Sequence, residues 1–330
     1  MTLIEGRSDP STLNPNQNNQ NKVRSSIVQN DPVDTVLHVI MVVSNPSNFK
    51  RRYQLAIEFI KRMKQEQHVQ LYVVELCFPS QEFVLTDAKD PNHLQLRTDT
   101  PLWHKENLIN CGVKLLPSSW KAMAWIDADI EFESTTWATD CLRILNGYAD
   151  IVQLFSHAVD MDKHENAMNI VTSAGYQYEK RSVKRTGIHY WHPGYAWACT
   201  RRAYEKMGGL YENAILGSGD YIMMSSLLGE VEQSIHVNNH EQYKKDVSAF
   251  QSRVAGLRFS YVPGMIRHYY HGAKVNRRYR ERWQILVDHH YRPEHHVEKN
   301  KDGILVPTSN CPLTLLEDIM TYFNERNEDE

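Results

Sequence analysis

The stretch "VLHVIMVVSNP", Val36 to Pro46, constrains the fold more than any other: it is a near-continuous apolar run closed by Asn45 and Pro46. A strand that is apolar on both sides must be covered on both faces, which is the situation of a central strand in a parallel sheet. The next segment supplies the cover. In "RRYQLAIEFIKRMKQE" the residues Ala56, Phe59, Ile60 and Met63 recur at helical spacing, with Ser47 or Asn48 placed to cap the helix, and "VQLYVVEL" reads as a second strand. Strand, helix and strand in that order form a right-handed crossover. The alternation continues through "WHKENLINCGV" (helix), "MAWIDA" (strand), "TWATDCLRILNG" (helix ended by Gly147) and "DIVQLF" (strand). The fold class is therefore α/β, with a Rossmann-like, mostly parallel central sheet flanked by helices. In such sheets ligands bind beyond the carboxyl ends of the strands, the edge where Asn45, Glu75 and Asp127 fall.

Composition bounds the rest. With 330 residues, 41% of them hydrophobic, the chain can bury a sizeable core, and a formal net charge of -3 argues against a general nucleic-acid binder. No apolar segment is long enough to span a bilayer and no signal-peptide pattern opens the chain, which predicts a cytoplasmic protein. Five cysteines without a CxxC pair predict reduced, mostly buried thiols. Residues 1–33, which include "NPNQNNQN", read as a disordered tail, and the acidic end "NERNEDE" as frayed. Between them the chain divides into 34–156, carrying the sheet, 157–300, richer in Gly, aromatic and His residues, and a C-terminal helix with an acidic tail in 301–330.

"AWIDADIEF" sets Asp127 and Asp129 directly after a buried strand. Two hard oxygen donors at a strand's carboxyl end suit a divalent cation that completes its shell with substrate phosphates. Capping of the helix starting near Thr135, or simple exposure, accounts for the same residues equally well. A second pair, Asp160 and Asp162 in "VDMDK", reads as a solvated loop.

Five segments in order give the chain a resemblance to the glycosyltransferase A fold, the Asp-x-Asp class of nucleotide-sugar glycosyltransferases. They are "VLHVIMVVSNP" with "VVEL", "HKENLINCG", "WIDADIEF", "PGYAWACTRRAYEKMGGLYENAILGSGD" and "GMIRHYYHG". The first half is similar to family 2 enzymes and the second to the galactosyltransferase-like C-terminal region of family 7. The resemblance implies a metal-dependent transfer of a sugar from a nucleotide diphospho-sugar to a carbohydrate or glycoconjugate hydroxyl, with inversion. It implies Ser44, Asn45 and Glu75 on base or ribose, Lys105 and Asn110 on the helix before the metal strand, and Asp129 as metal ligand. Asp127 would bind ribose and metal-bound water, and His268 or His271 would add a nitrogen ligand. Imidazole inclines the cation to Mn²⁺ over Mg²⁺. Asp220 is the implied base, although the family's Gly-Gly-Glu-Asp is here Gly217, Ser218, Gly219 and Asp220, leaving one acidic residue.

Of the basic run "AKVNRRYRERW", Lys274, Arg277 and Arg278 are expected to close over the diphosphate, whereas Arg280 and Arg282 read as a solvated helix face. Gly194 begins the glycine-aromatic turn, in which Tyr195 and Trp197 either offer a ring to a sugar or pack in the core. His289, His290, His295 and His296 read as surface or packing residues. Two rival readings share these features: a nucleotidyltransferase, disfavoured because "SNPSNFKRR" has no glycine for a phosphate loop, and an inactive carbohydrate-binding protein of the same fold.

Overall fold

The computed structural model describes residues 34–330; the expected tail of residues 1–33 lies outside them. The central sheet has seven strands: β1 (Leu37–Ser44), β2 (Val69–Cys77), β3 (His93–Arg97), β4 (Ala122–Ile126), β6 (Ile151–Gln153), β10 (Ala196–Thr200) and β11 (Phe259–Tyr261). Across the sheet they run in the order β11-β6-β10-β4-β1-β2-β3. All pairings are parallel except those of β10, which runs antiparallel between β4 and β6.

Strand β1 shows why its sequence is apolar throughout. Leu37, Val39, Met41 and Val43 pack with Phe59 of α1 (Lys50–Met63) and Trp137 of α3 (Trp137–Gly147), while Ile40 joins the opposite layer with Leu108 and Ile109 of α2 (Lys105–Gly112). Gly112 lets α2 lie close on the sheet, since a Cβ there would fall 2.8 Å from Ile40 and 2.9 Å from Val74. The second layer also takes α5 (Arg201–Met207), α6 (Gly219–Leu227), α7 (Glu241–Val254) and α10 (Leu313–Glu325); the short α4 (Ala174–Glu179), α8 (Trp283–Asp288) and α9 (Pro293–His296) complete the α-helices among the described residues. None of the described helices is long and apolar enough to cross a membrane.

A second sheet, not anticipated from the sequence, stands beyond the carboxyl edge of the first. It is built from β5 (Ile130–Phe132), β7 (His157–Met161), β8 (Ala167–Ser173), β9 (Trp191–His192) and β12 (Met265–His268), in the order β5-β12-β7-β8-β9. Its register positions the site: His268 pairs with Ile130 on one side and with Asp160 on the other. A small hairpin, β13 (Val297–Lys299) with β14 (Leu305–Pro307), lies apart from both.

The C-terminal end departs from expectation. Arg326 and Glu328 are buried, and the Asp329 carboxylate accepts the backbone N–H of Lys50 (3.1 Å) and Arg51 (2.8 Å). The residues expected to fray thus provide the N-terminal cap of α1, a role the sequence assigned to Ser47 or Asn48. All five cysteines are free and buried, as expected.

Candidate active site

The turn between β4 and β5 is tight, with the Ile130 N–H donating to Asp127 O (3.3 Å) and the Asp127 N–H to Tyr195 O (2.8 Å). It projects two carboxylates in different directions. Helix α3 starts only at Trp137, with Thr136 at its cap position, so neither aspartate caps it.

Asp129 turns toward β12 and the loop after it. Its Oδ2 lies 2.7 Å from His271 Nε2 and 3.6 Å from His268 Nε2, while its Oδ1 is buried without a hydrogen-bond partner. Burial alone would raise the Asp129 pKa, but the two imidazoles, His271 first, hold it well below the ordinary range. His268 moves the other way: burial opposes its charge, and Asp129 together with Asp160 raises its pKa above the usual value. One ligand atom from each of Asp129, His268 and His271 falls within 4.8 Å of the others. A buried carboxylate oxygen lacking a partner, beside two imidazole nitrogens, is a donor set that fits a divalent cation, and its N₂O character suits Mn²⁺ better than Mg²⁺.

Asp127 turns toward α2 instead. Lys105 Nζ lies 2.6 Å from Asp127 Oδ1 and 3.0 Å from Asp220 Oδ2, bridging the two carboxylates. Burial would lower the Lys105 pKa; Asp127, Asp220 and Glu106 raise it well above its ordinary value, so the ammonium stays charged. Asp127 is raised to about 6, chiefly by burial and against the pull of Lys105. Asp220 lies in the first turn of α6, and its carboxylate goes to Lys105 rather than to a helix cap. Gly194 borders it: a Cβ there would stand 3.4 Å from the His192 ring and 3.5 Å from Asp220 Oδ2.

Glu106, one residue beyond Lys105, brings a second buried carboxyl to the Asp220 loop. A Cβ on Gly219 would collide with the Glu106 carboxyl, so any larger residue there would displace that side chain. Burial, then Asp220, pushes Glu106 up to about 8.

Asp129, His268 and His271 sit in the wall of a cavity beyond the carboxyl ends of β1 and β4, together with Asp127, Lys105 and Arg277. Arg52 and Arg326 also line it. Besides Asp129 Oδ1, two lining residues hold buried polar atoms without a hydrogen-bond partner: Ser44 Oγ and Trp103 Nε1. Such atoms are costly unless a polar ligand meets them.

Several expected contacts are redirected. Asn45 lines the cavity, but its amide bonds both backbone groups of Phe49. Glu75 is outside the cavity lining, and its carboxylate accepts from Val84, Leu85 and Thr86, anchoring a loop. Asn110 binds both backbone groups of Leu210 at the turn after α5. Trp197 is fully buried, stacked between Trp125 and Phe259, and its ring is not open to a sugar. Of the basic run only Arg277 reaches the cavity; Lys274 pairs with Asp160, and Arg278 pairs with Glu325 at the surface. Arg282 is buried rather than solvated, donating to Tyr322 Oη (2.9 Å) and Ser218 Oγ (2.7 Å). Asp160, read as solvated, is only 1% exposed and accepts from Tyr195 Oη (2.8 Å), His268 Nδ1 (2.9 Å) and Lys274.

Arg52, Arg326, Asp160, Glu328 and Glu106 escaped the sequence reading. One signal was available. Helix α1 opens with Lys50, Arg51 and Arg52 and has no acidic residue in its first turn, a charge order that opposes the helix dipole and asks for an anion from elsewhere.

No family model matches the sequence, and no curated protein matches it either. Solved structures do. The chain is similar to a mutant Drosophila β1,4-galactosyltransferase 7 in complex with manganese, UDP-Gal and xylobiose, at 10% identity over 86% of this chain and 99% of that one, with a TM-score of 0.42. It is similar to a mannosyltransferase from Pyrobaculum calidifontis in complex with GDP-Man and Mn²⁺, at 11% identity over 82% and 68% of the two chains, TM-score 0.42. A 4-diphosphocytidyl-2C-methyl-D-erythritol synthase from Anaerococcus prevotii matches at 10% identity over 70% and 88%, TM-score 0.33. These superpositions are loose, with every TM-score below 0.5.

Proposed function

We propose that this protein is a metal-dependent glycosyltransferase that moves a sugar from a nucleotide diphospho-sugar to a carbohydrate or glycoconjugate hydroxyl, with inversion. One observation carries the reading: the Asp129, His268 and His271 donor set lies in the wall of a cavity at the carboxyl edge of a parallel sheet, with guanidinium groups from Arg52, Arg277 and Arg326 in the same wall. That combination suits a diphosphate and its cation.

Asp129, His268 and His271 would hold the cation, which supplies Lewis-acid neutralisation of the diphosphate leaving group when bound. Around it the chain's own residues act. Arg52, Arg277 and Arg326 bind phosphate oxygens by charge-assisted hydrogen bonds. Ser44, with its unpartnered hydroxyl, faces the nucleoside. Lys105 bridges Asp127 and Asp220, which ties the base to the edge of the donor cavity. The Asp220 carboxylate takes the proton from the acceptor hydroxyl as that oxygen attacks the anomeric carbon from the face opposite the leaving diphosphate.

The test is a panel of nucleotide sugars incubated with the protein and Mn²⁺ or with a chelator, following nucleoside diphosphate. Metal-dependent release from one donor is the expected result; no release from any donor, with or without acceptors, overturns the reading. Release of pyrophosphate from a nucleoside triphosphate and a sugar phosphate would point to a nucleotidyltransferase. Asp220→Asn is expected to lower transfer by about 10²- to 10⁴-fold while donor binding holds, the range typical of losing a general base.

A further inference from the structure

The two imidazoles of the donor set are arranged alike, although the carboxylates behind them are far apart in the chain. His268 has its Nε2 toward Asp129 (3.6 Å) and its Nδ1 on Asp160 (2.9 Å). His271 has its Nε2 toward Asp129 (2.7 Å) and its Nδ1 toward Glu328 (3.5 Å). We propose that Asp160 and Glu328 are positioning residues of the metal centre, each holding one histidine by Nδ1 so that both Nε2 atoms face the cation site at Asp129.

The assignment rests on the metal-binding reading of the site and on what each group can do. A cation at Asp129 requires a lone pair on each Nε2, which leaves the ring proton on Nδ1, the nitrogen that faces the acceptor-only carboxylate of Asp160 or Glu328. Arg277 Nη2 lies 2.7 Å from His271 Nε2 and 3.3 Å from its Nδ1, so it fixes the position of the ring without selecting between its two nitrogens. Both carboxylates are buried, Asp160 at 1% and Glu328 at 2% exposure, and both are held by further donors that keep them in place. Asp160 also accepts from Tyr195 and Lys274. Glu328 takes a two-pronged pair from Arg52 (2.6 and 2.8 Å) and a bond from Arg326 (2.8 Å). Buried carboxylates with this much donor support are costly to build for packing alone, and a carboxylate behind a metal-binding imidazole fixes its orientation and increases its basicity.

The arrangement gives the C-terminal segment a function. Arg326 contributes to the cavity wall, Glu328 orients His271, and Asp329 caps the helix that carries Arg52. The donor set is therefore supported from behind by a segment nearly two hundred residues beyond Asp129 in sequence.

Titration of the full chain with Mn²⁺ alone, read by the loss of the free-ion paramagnetic resonance signal, tests the proposal without turnover. Asp160→Ala and Glu328→Ala are each expected to weaken Mn²⁺ binding by about 10- to 100-fold, the usual cost of losing such a partner. Asp160→Asn and Glu328→Gln keep an accepting carbonyl oxygen and should fall between the alanine variants and the unaltered protein. Alanine variants that melt cooperatively yet bind Mn²⁺ within about twofold of the unaltered protein overturn the inference and leave the metal reading standing. If an alanine variant does not fold, the amide variant decides in the same way, affinity equal to that of the unaltered protein counting against the proposal. Absence of Mn²⁺ binding by the unaltered protein overturns the metal reading itself, and this inference with it.

Discussion

The turn after β4 and the end of β7 carry the same Asp-x-Asp spelling, and in each only one aspartate joins the imidazole cluster. Asp129 faces His268 and His271 directly, and Asp160 stands behind His268. Their companions go elsewhere: Asp127 to Lys105, and Asp162 to the backbone N–H groups of His164 and Asn166. Two residues apart on a regular strand would share a face. Neither pair lies on one. Asp127 opens a tight turn and Asp129 lies within it, and the pairing of β7 shifts register between Asp160 and Met161 before the strand ends. What assigns each carboxylate its work is the positive group or donor set that the fold brings opposite it, not the spacing.

The largest effect should come from the first pair. Asp129→Ala removes the one carboxylate common to both imidazoles, so Mn²⁺ affinity should fall by more than the roughly 100-fold upper cost of losing an outer partner. The comparison breaks if Asp127→Ala weakens Mn²⁺ binding as much as Asp129→Ala does, because the two aspartates would then be acting as joint ligands.

A smaller and pH-dependent effect should mark the Lys105 side. Glu106 is raised from its ordinary value of 4.5 to about 8, by burial first and by Asp220 second. A carboxyl whose folded-state value is raised holds its proton more tightly when folded; its favourable contribution is complete below the unfolded value and is lost as pH climbs through the folded one. Unaltered protein should therefore lose stability relative to Glu106→Gln between pH 4.5 and about 8. Thermal melts of both proteins across that interval check this: the variant's melting temperature should gain steadily on that of the unaltered chain, and a constant gap would mean that Glu106 titrates as an exposed carboxyl does.

Much of the sheet was legible because β1 and β2 owe their structure to local apolar runs, and α1 to a helical period. The second sheet was not. Its strands are short and mixed, "MIRH" among them, and they exist because each pairs with a distant neighbour. The same division runs through the site. Asp129, His268 and His271 stood out by residue type and order, and the structure brings them together. Asp160 looked like its exposed neighbour because burial of one aspartate by β12 and Lys274 leaves no local trace. Glu328 sat in an acidic run whose composition resembles a solvated tail, and only the arginines of α1 and of its own turn, meeting in space, bury it. Trp197 took the second of its two readings, packing in the core by stacking, and the Glu75 carboxylate is engaged by a loop's backbone.

The smallest effect belongs to Asp162, and it sharpens the comparison most. Its carboxylate is exposed and accepts from the backbone N–H groups of His164 and Asn166 and from the Asn166 side chain, a local turn that closes on itself. These bonds lower its pKa without engaging any group of the cavity. Asp162→Ala should therefore leave Mn²⁺ affinity and donor release within about twofold of the unaltered protein, as for a surface substitution away from a binding feature. Measured beside Asp160→Ala, the variant separates two explanations of this strand end. If the acidic strand end acts as a diffuse negative field drawing cations in, removing the exposed charge should matter nearly as much as removing the buried one, and raising salt should weaken both effects together. If Asp160 acts through its hydrogen bond to His268, the two variants differ by an order of magnitude and salt changes that difference little, because a buried contact of 2.9 Å is poorly screened.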